Sequence, residues 1–273
     1  MRSFRGPAFL TGTGFLTFAA LLIFCAPTAH AQSSTPQTTP EVQELESRIS
    51  TYKAQLKDWP NLTRYREANS KVVPPAKGEN RVVFMGDSIT DWWERRPEMG
   101  GFFPGKPYID RGISGQTTPQ MLVRFRADVL ALQPKVVVIL AGTNDIAGNT
   151  GPESLEEIEG YLTSMVQLAQ VNKIKVVLAS VTPVSDYGHG DDGKPVNMTN
   201  RRPPQSILTL NTWIKKFAAE NHCTYLDYFS AMVDAHGFLK NELSPDGLHP
   251  NAAGYAVMAP LAESAIQSAL KSK

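Results

Sequence analysis

Arg81-Val82-Val83-Phe84-Met85-Gly86-Asp87-Ser88-Ile89-Thr90 decides the fold. A mostly apolar run ends in Gly-Asp-Ser and passes directly into Thr90-Asp91-Trp92-Trp93, which reads as the start of a helix. A strand-like run followed at once by a helix start is one step of an alternating α/β chain. The step recurs, with apolar runs at 136–140, 175–181 and 224–226 and helical stretches near 118–132, 154–172 and 205–221. A last helix is expected from about 251 to 270. The runs at 136–140 and 175–181 are nearly continuous Val, Ile and Leu, as in strands covered on both faces. The alternation predicts a parallel sheet flanked by helices. In such sheets ligands bind beyond the carboxyl ends of the strands, where Ser88 and Asn144 both fall.

Composition narrows the partners. The 273 residues are 42% hydrophobic and 19% charged with a formal net charge of +1, so no basic surface for nucleic acid is indicated. The N-terminus reads as a targeting signal: Arg2 and Arg5 give a positive start, 15–24 an apolar core, and Ala29-His30-Ala31 a small-residue cleavage site. Cleavage is expected after Ala31, giving a soluble exported protein, periplasmic or extracellular, with no stable membrane anchor. The apolar run is shorter than the ~20 residues a membrane span needs, and the bulky Phe24 before Cys25 argues against a lipoprotein signal. Loss of Cys25 leaves Cys223 as the one cysteine, so no internal disulfide is available and a packed core must hold the domain. Cys223 is read as a small hydrophobe rather than a nucleophile.

The expected organisation is a signal at 1–31, a Ser/Thr/Gln/Pro-rich linker at 32–40, a helical extension at 41–80 and the main domain at 81–273. Val42, Leu45, Ile49, Tyr52 and Leu56 lie close to one face of the first helix, which is expected to pack on the main domain, with dimerisation the alternative. The polar stretch 185–204, rich in Gly and Pro, is long for a connection and is a candidate lid or substrate loop, with a disordered surface excursion the alternative.

Three separated segments carry the chemistry: Gly86-Asp87-Ser88-Ile89-Thr90, Gly142-Thr143-Asn144-Asp145, and Ser244-Pro245-Asp246-Gly247-Leu248-His249-Pro250. A Ser hydroxyl needs a base to take its proton. His249 is that base, and Asp246 three residues before it can fix the imidazole tautomer. Ser88 alone would be read as a helix cap; the other two segments favour a nucleophile. The backbone N–H of Ser88 and the side chain of Asn144 are candidate donors to an oxyanion, with the backbone of Gly115 a third. His189, in the polar loop, is a candidate substrate contact, while His222 and His236 are left as surface or core residues. Trp92 and Trp93 offer either a sugar-stacking surface or core packing. Asp87 and Asp145 adjoin these positions without a His or Cys at ligand spacing, so structural hydrogen bonds are expected of them and no metal. No nucleotide-binding glycine pattern is present, and no cofactor is expected.

These segments, with Arg111-Gly112-Ile113-Ser114-Gly115-Gln116, resemble the four sequence blocks of the SGNH (GDSL-type) hydrolase superfamily, in order between about Arg81 and Leu261. The resemblance implies a flavodoxin-like three-layer α/β sandwich, Ser88 as nucleophile, Asp246 and His249 completing a triad, and an oxyanion hole of Ser88, Gly115 and Asn144. Ile89 after Ser88 resembles the branch of platelet-activating-factor acetylhydrolases and carbohydrate acetylesterases. An exported serine esterase acting on short acyl esters, acetyl foremost and on carbohydrates, is therefore expected. A lysophospholipase or thioesterase is the enzymatic alternative, and a non-catalytic carbohydrate-binding domain the alternative of another class.

Overall fold

Every residue of Val82–Gly86 is buried, and this pentad is β1, at the centre of the molecule. The computed structural model describes residues 39–190 and 192–272. The expected signal and most of the linker, 32–38, lie outside the described residues. The chain divides into two units, 1–47 and 48–273. The described part of the first is helical from Pro40, with Val42 and Leu45 exposed.

In chain order the elements are α1 (Pro40–Lys57), α2 (Arg66–Ser70), β1 (Val82–Gly86), α3 (Ser88–Arg95), β2 (Tyr108–Gly112), α4 (Thr118–Asp128) and β3 (Val136–Leu140). There follow α5 (Thr143–Ile146), α6 (Leu155–Val171), β4 (Lys175–Ala179), α7 (Met198–Arg201), α8 (Pro204–Glu220), β5 (Thr224–Leu226), α9 (Phe229–Met232) and α10 (Ala252–Lys271). The strands form one parallel sheet in the order β2-β1-β3-β4-β5. Strand order reverses between β1 and β3, the place where an open sheet leaves a crevice at its carboxyl edge.

Alternation along the strands divides the core in two. Val83, Met85, Val137, Ile139, Val176 and Leu178 face one layer, packed with Met121 and Phe125 of α4, Ile158 and Leu162 of α6, and Ile207 and Leu210 of α8. Val82, Phe84, Val136, Val138 and Val177 face the other, against Ile89 and Trp93 of α3 and Met258 and Ile266 of α10. The three-layer sandwich follows from this division.

The helix boundaries lie close to the sequence reading, with Ser154 and Asn251 as caps that accept from Glu157 N and Gly254 N. Two features differ. The strand β2 is absent from the apolar pattern because Asp110 and Arg111 interrupt it, and an edge strand tolerates that. Within the second unit, Ile49, Tyr52 and Leu56 of α1 are 50, 55 and 84% exposed, so they do not pack as expected. Both faces of the sheet are already covered by the helices named above.

Gly112 explains how closely α3 lies over the strand ends. A Cβ there would meet Asp91 N at 2.2 Å, a backbone atom that cannot swing away. We predict that Gly112→Ala lowers stability by at least the ~1–3 kcal/mol of an overpacked core. Chemical denaturation checks this, and an unchanged midpoint would contradict it.

Candidate active site

Ser88 opens α3 immediately after β1, so its backbone N–H is one of the unpaired donors of a helix N-terminus. Asp87 caps the helix by accepting from Ile89 N at 2.9 Å. This leaves the Ser88 hydroxyl free to turn toward His249, whose Nε2 lies 2.9 Å from Ser88 Oγ. The other ring nitrogen, Nδ1, lies 2.6 Å from Asp246 Oδ2. Asp246 Oδ1 accepts from Leu248 N, His249 N and the Ser244 hydroxyl at 2.9, 2.8 and 3.1 Å. Burial works against charge on Asp246, but the hydrogen bond and charge of His249, with these amides, outweigh it and hold the carboxyl well below the usual range. An ionised Asp246 fixes the proton on Nδ1, so Nε2 is the lone-pair nitrogen that faces the hydroxyl.

Asn144 lies in α5, just past β3, across the strand-order reversal from Ser88. Its amide nitrogen donates to Gln116 O at 3.1 Å, and its Oδ1 accepts from Arg202 Nη2 at 3.1 Å. A primary amide has two N–H donors, so a second remains for an oxyanion. Gly115 sits in the loop between β2 and α4 with φ of +81°, a conformation that favours glycine. Its carbonyl accepts from Asn149 Nδ2 at 3.1 Å, and Ser114 beside it is held by Asp91 through N at 3.3 Å and Oγ at 2.6 Å. The structure thus joins Ser88, His249 and Asp246 in one hydrogen-bonded chain, with Asn144 held separately by Gln116 and Arg202 at the neighbouring strand end and Gly115 on the loop between β2 and α4.

Arg202 is a site residue that sequence reasoning missed. It is buried near the end of the polar stretch, donates to Thr143 Oγ1 at 3.1 Å as well as to Asn144, and carries its charge toward Asp87 and Asp246. Burial and the neighbouring Arg201 lower its pKa to about 10, which leaves it cationic at neutral pH. The polar stretch is pinned at its start too, where Ser185 N donates to Gly247 O at 2.9 Å and His189 N to Pro245 O at 3.2 Å. His189, His222 and His236 are exposed, outside the hydrogen-bonded group.

The two tryptophans diverge. Trp93 is buried in a cluster with Phe84, Phe102, Phe103 and Tyr255. Trp92 stacks on the His249 ring at 3.9 Å, and the Arg96 guanidinium lies 3.5 Å from its centroid. One face cannot hold both at contact distance, so the indole is covered on two sides and offers no open face to a sugar. Asp145 accepts from Thr118 N at 2.7 Å and from the Thr118 hydroxyl, and burial pushes its carboxyl up to about 7. Cys223 is half-buried, and burial raises its thiol to about 11, away from thiolate chemistry.

The profile of the GDSL-like lipase/acylhydrolase family matches residues 84–257. The chain is 25% identical over 206 residues to an acetylxylan esterase of Geobacillus stearothermophilus, spanning 66% of this chain and 90% of that one. It is 26% identical over 200 residues to the platelet-activating factor acetylhydrolase IB subunit alpha1 of Bos taurus, spanning 72% and 77%. Among solved structures, a GDSL-like lipase from Bacteroides thetaiotaomicron superposes with a TM-score of 0.69 at 40% identity, over 78% of this chain and all of that one.

Two predictions follow from the geometry. Asn144→Ala should lower kcat by the ~100- to 1000-fold typical of a lost oxyanion donor. Arg202→Met should lower it less, and should add little in the Asn144→Ala background, because it acts through that amide; full additivity in the double-variant cycle would contradict this role. The second concerns Asp87, which is fully buried; burial raises its carboxyl to about 6 from an ordinary 3.8. A raised carboxyl favours the folded state below its unfolded pKa, and that contribution is lost as pH rises through about 6. Asp87→Asn should therefore gain stability relative to the parent between pH 4 and pH 7, read as a widening difference in Tm. A constant difference across that range would refute it.

Proposed function

The chain belongs to the GDSL-like lipase/acylhydrolase family and is an ester hydrolase; from that premise we propose that it is an exported serine esterase. Its substrates are short acyl esters, acetyl foremost, borne on carbohydrate hydroxyls, and the reaction passes through an acyl-enzyme on Ser88. The observation that carries the reading is the continuous chain from Ser88 Oγ to His249 to Asp246, at 2.9 and 2.6 Å. His249 takes the hydroxyl proton as Ser88 Oγ bonds to the ester carbonyl carbon. Negative charge then passes to the carbonyl oxygen, facing the N–H groups of Ser88, Gly115 and Asn144. Collapse of this tetrahedral species breaks the bond to the alcohol oxygen, which takes the proton from His249. Water, deprotonated by the same imidazole, releases the acid and restores Ser88.

Acyl length is supported by the relatives, whose names share acetyl removal while their alcohol parts differ. Export is supported by the charged, apolar and small-residue pattern of residues 1–31. The hydroxylated alcohol is supported by the mainly polar side chains around the cavity beside Gly115.

Initial rates on p-nitrophenyl esters from acetate to palmitate, with Ser88→Ala as the blank, test the reading. The expected result is a Ser88-dependent rate that falls steeply beyond butyrate. A maximum at long chains would replace it with a lysophospholipase or thioesterase, and parental activity in Ser88→Ala would overturn the nucleophile.

A further inference from the structure

A cavity of about 650 Å³ adjoins the loop of Gly115, and of the residues given a part in the ester chemistry Gly115 alone lines it. One wall is that loop, and a second is Asn149 and Thr150 beyond α5. The third is Asp58, Trp59, Asn61 and Thr63, which lie before residue 84, where the family match begins. This wall is built rather than loosely apposed. Gln116 Nε2 donates to Pro60 O at 2.7 Å, and Gln120 Nε2 to Trp59 O at 2.7 Å. The Asp58 carboxylate closes the turn by accepting from Leu62 N, Thr63 N and the Thr63 hydroxyl at 2.7, 2.9 and 2.8 Å. Behind it, Arg64 pairs with Asp91 at 3.4 Å and the buried Tyr65 hydroxyl donates to Gly112 O. Gln116 also presents the carbonyl that holds Asn144, so segment 58–65 and the oxyanion loop form one assembly.

The lining has a definite chemistry. It offers the amides of Asn61, Gln120 and Asn149 and one large aromatic side chain, the 42% exposed Trp59, while the Thr150 hydroxyl is already engaged with Thr117 at 2.9 Å and Glu153 at 3.1 Å. None of the lining side chains is cationic, and the one carboxylate is already occupied within its own turn. Amides with a spare N–H match ring hydroxyls, and an indole face matches the C–H face of a pyranose. A phosphate headgroup would call for Arg or Lys; none lines the cavity, and the Arg201 guanidinium at its border donates to Asn149 Oδ1 at 3.1 Å. The volume is that of a small-molecule site.

The geometry points to this cavity as the subsite for the saccharide that carries the ester, with Trp59 as its stacking face and Asn61 and Asn149 as its hydroxyl partners. The inference rests on the esterase reading and adds that segment 58–63 selects the alcohol part of the substrate. Trp59→Ala removes a side chain whose backbone carbonyl still serves Gln120. The test measures kcat/KM on acetylated xylobiose, cellobiose and chitobiose, on p-nitrophenyl acetate and on a lysophosphatidylcholine, for the parent, Trp59→Ala and Trp59→Phe. The ratio of the preferred acetylated disaccharide to p-nitrophenyl acetate should fall about tenfold in Trp59→Ala, through KM, and recover in part in Trp59→Phe. An unchanged ratio for every disaccharide, or a Trp59-dependent preference for lysophosphatidylcholine, would overturn it. Calorimetry of the same disaccharides on Ser88→Ala separates the two readings. Binding weakened by a further Trp59→Ala upholds the subsite even if the parent hydrolyses no ester, whereas no binding to any of them refutes the subsite while leaving the esterase intact.

Discussion

The hydrogen bond between His249 and Ser88 spans 161 positions of sequence and is the contact on which the remaining geometry depends. Neither residue is special alone, since Ser at a helix start and His in a turn are common. They meet because β1 ends at Gly86, two residues before Ser88, while the loop before α10 returns over the same sheet edge. Parallel strands put every strand-to-helix connection at that edge, and the reversal of order between β1 and β3 opens a gap there. Asn144 enters the gap from β3 and Asp246 fixes the imidazole from its outer side.

Placing so much polarity at a sheet edge has a structural cost, and the protein meets it with a connected network. Arg124 is fully buried, pairs with Asp128 at 3.0 Å, donates to Gly86 O at 3.0 Å and holds Gln116 Oε1. Gln116 in turn reaches Pro60 and Asn144. Arg202 plays the corresponding part on the other side, tying Thr143 and Asn144 to the end of the polar stretch. Arg124, through Gln116, and Arg202, directly, each spend a donor on holding Asn144. Removing one strands several partners at once, and such losses are larger than those of a single surface contact.

Much of this was legible beforehand, for physical reasons particular to each element. The runs at β3 and β4 are so nearly continuous in Val, Ile and Leu that burial on both faces is their natural reading, and the helical periods near 154–172 and 251–270 fall within a residue or so of α6 and α10. Ser88, Asn144, Asp246 and His249 stand out as candidates because each sits in a short local motif at a strand end or in the late loop. The strand β2 does not, because its buried Asp110 and Arg111 break the apolar pattern that marks a strand. Arg202 was equally hidden. Nothing in a Gly- and Pro-rich stretch signals that one of its two adjacent arginines is buried while Arg201 stays exposed. The exposed apolar stripe of α1 shows the converse, a clear helical period that does not by itself tell what the face will meet.

The measurement that bears most directly on the account is peptide mass spectrometry after brief exposure to p-nitrophenyl acetate and an acid quench. An acetyl group is expected on the peptide containing Ser88, present in the parent and lost in His249→Ala. Turnover of the ester with no acyl group on that peptide, or with the group on another residue, would contradict a covalent route through Ser88.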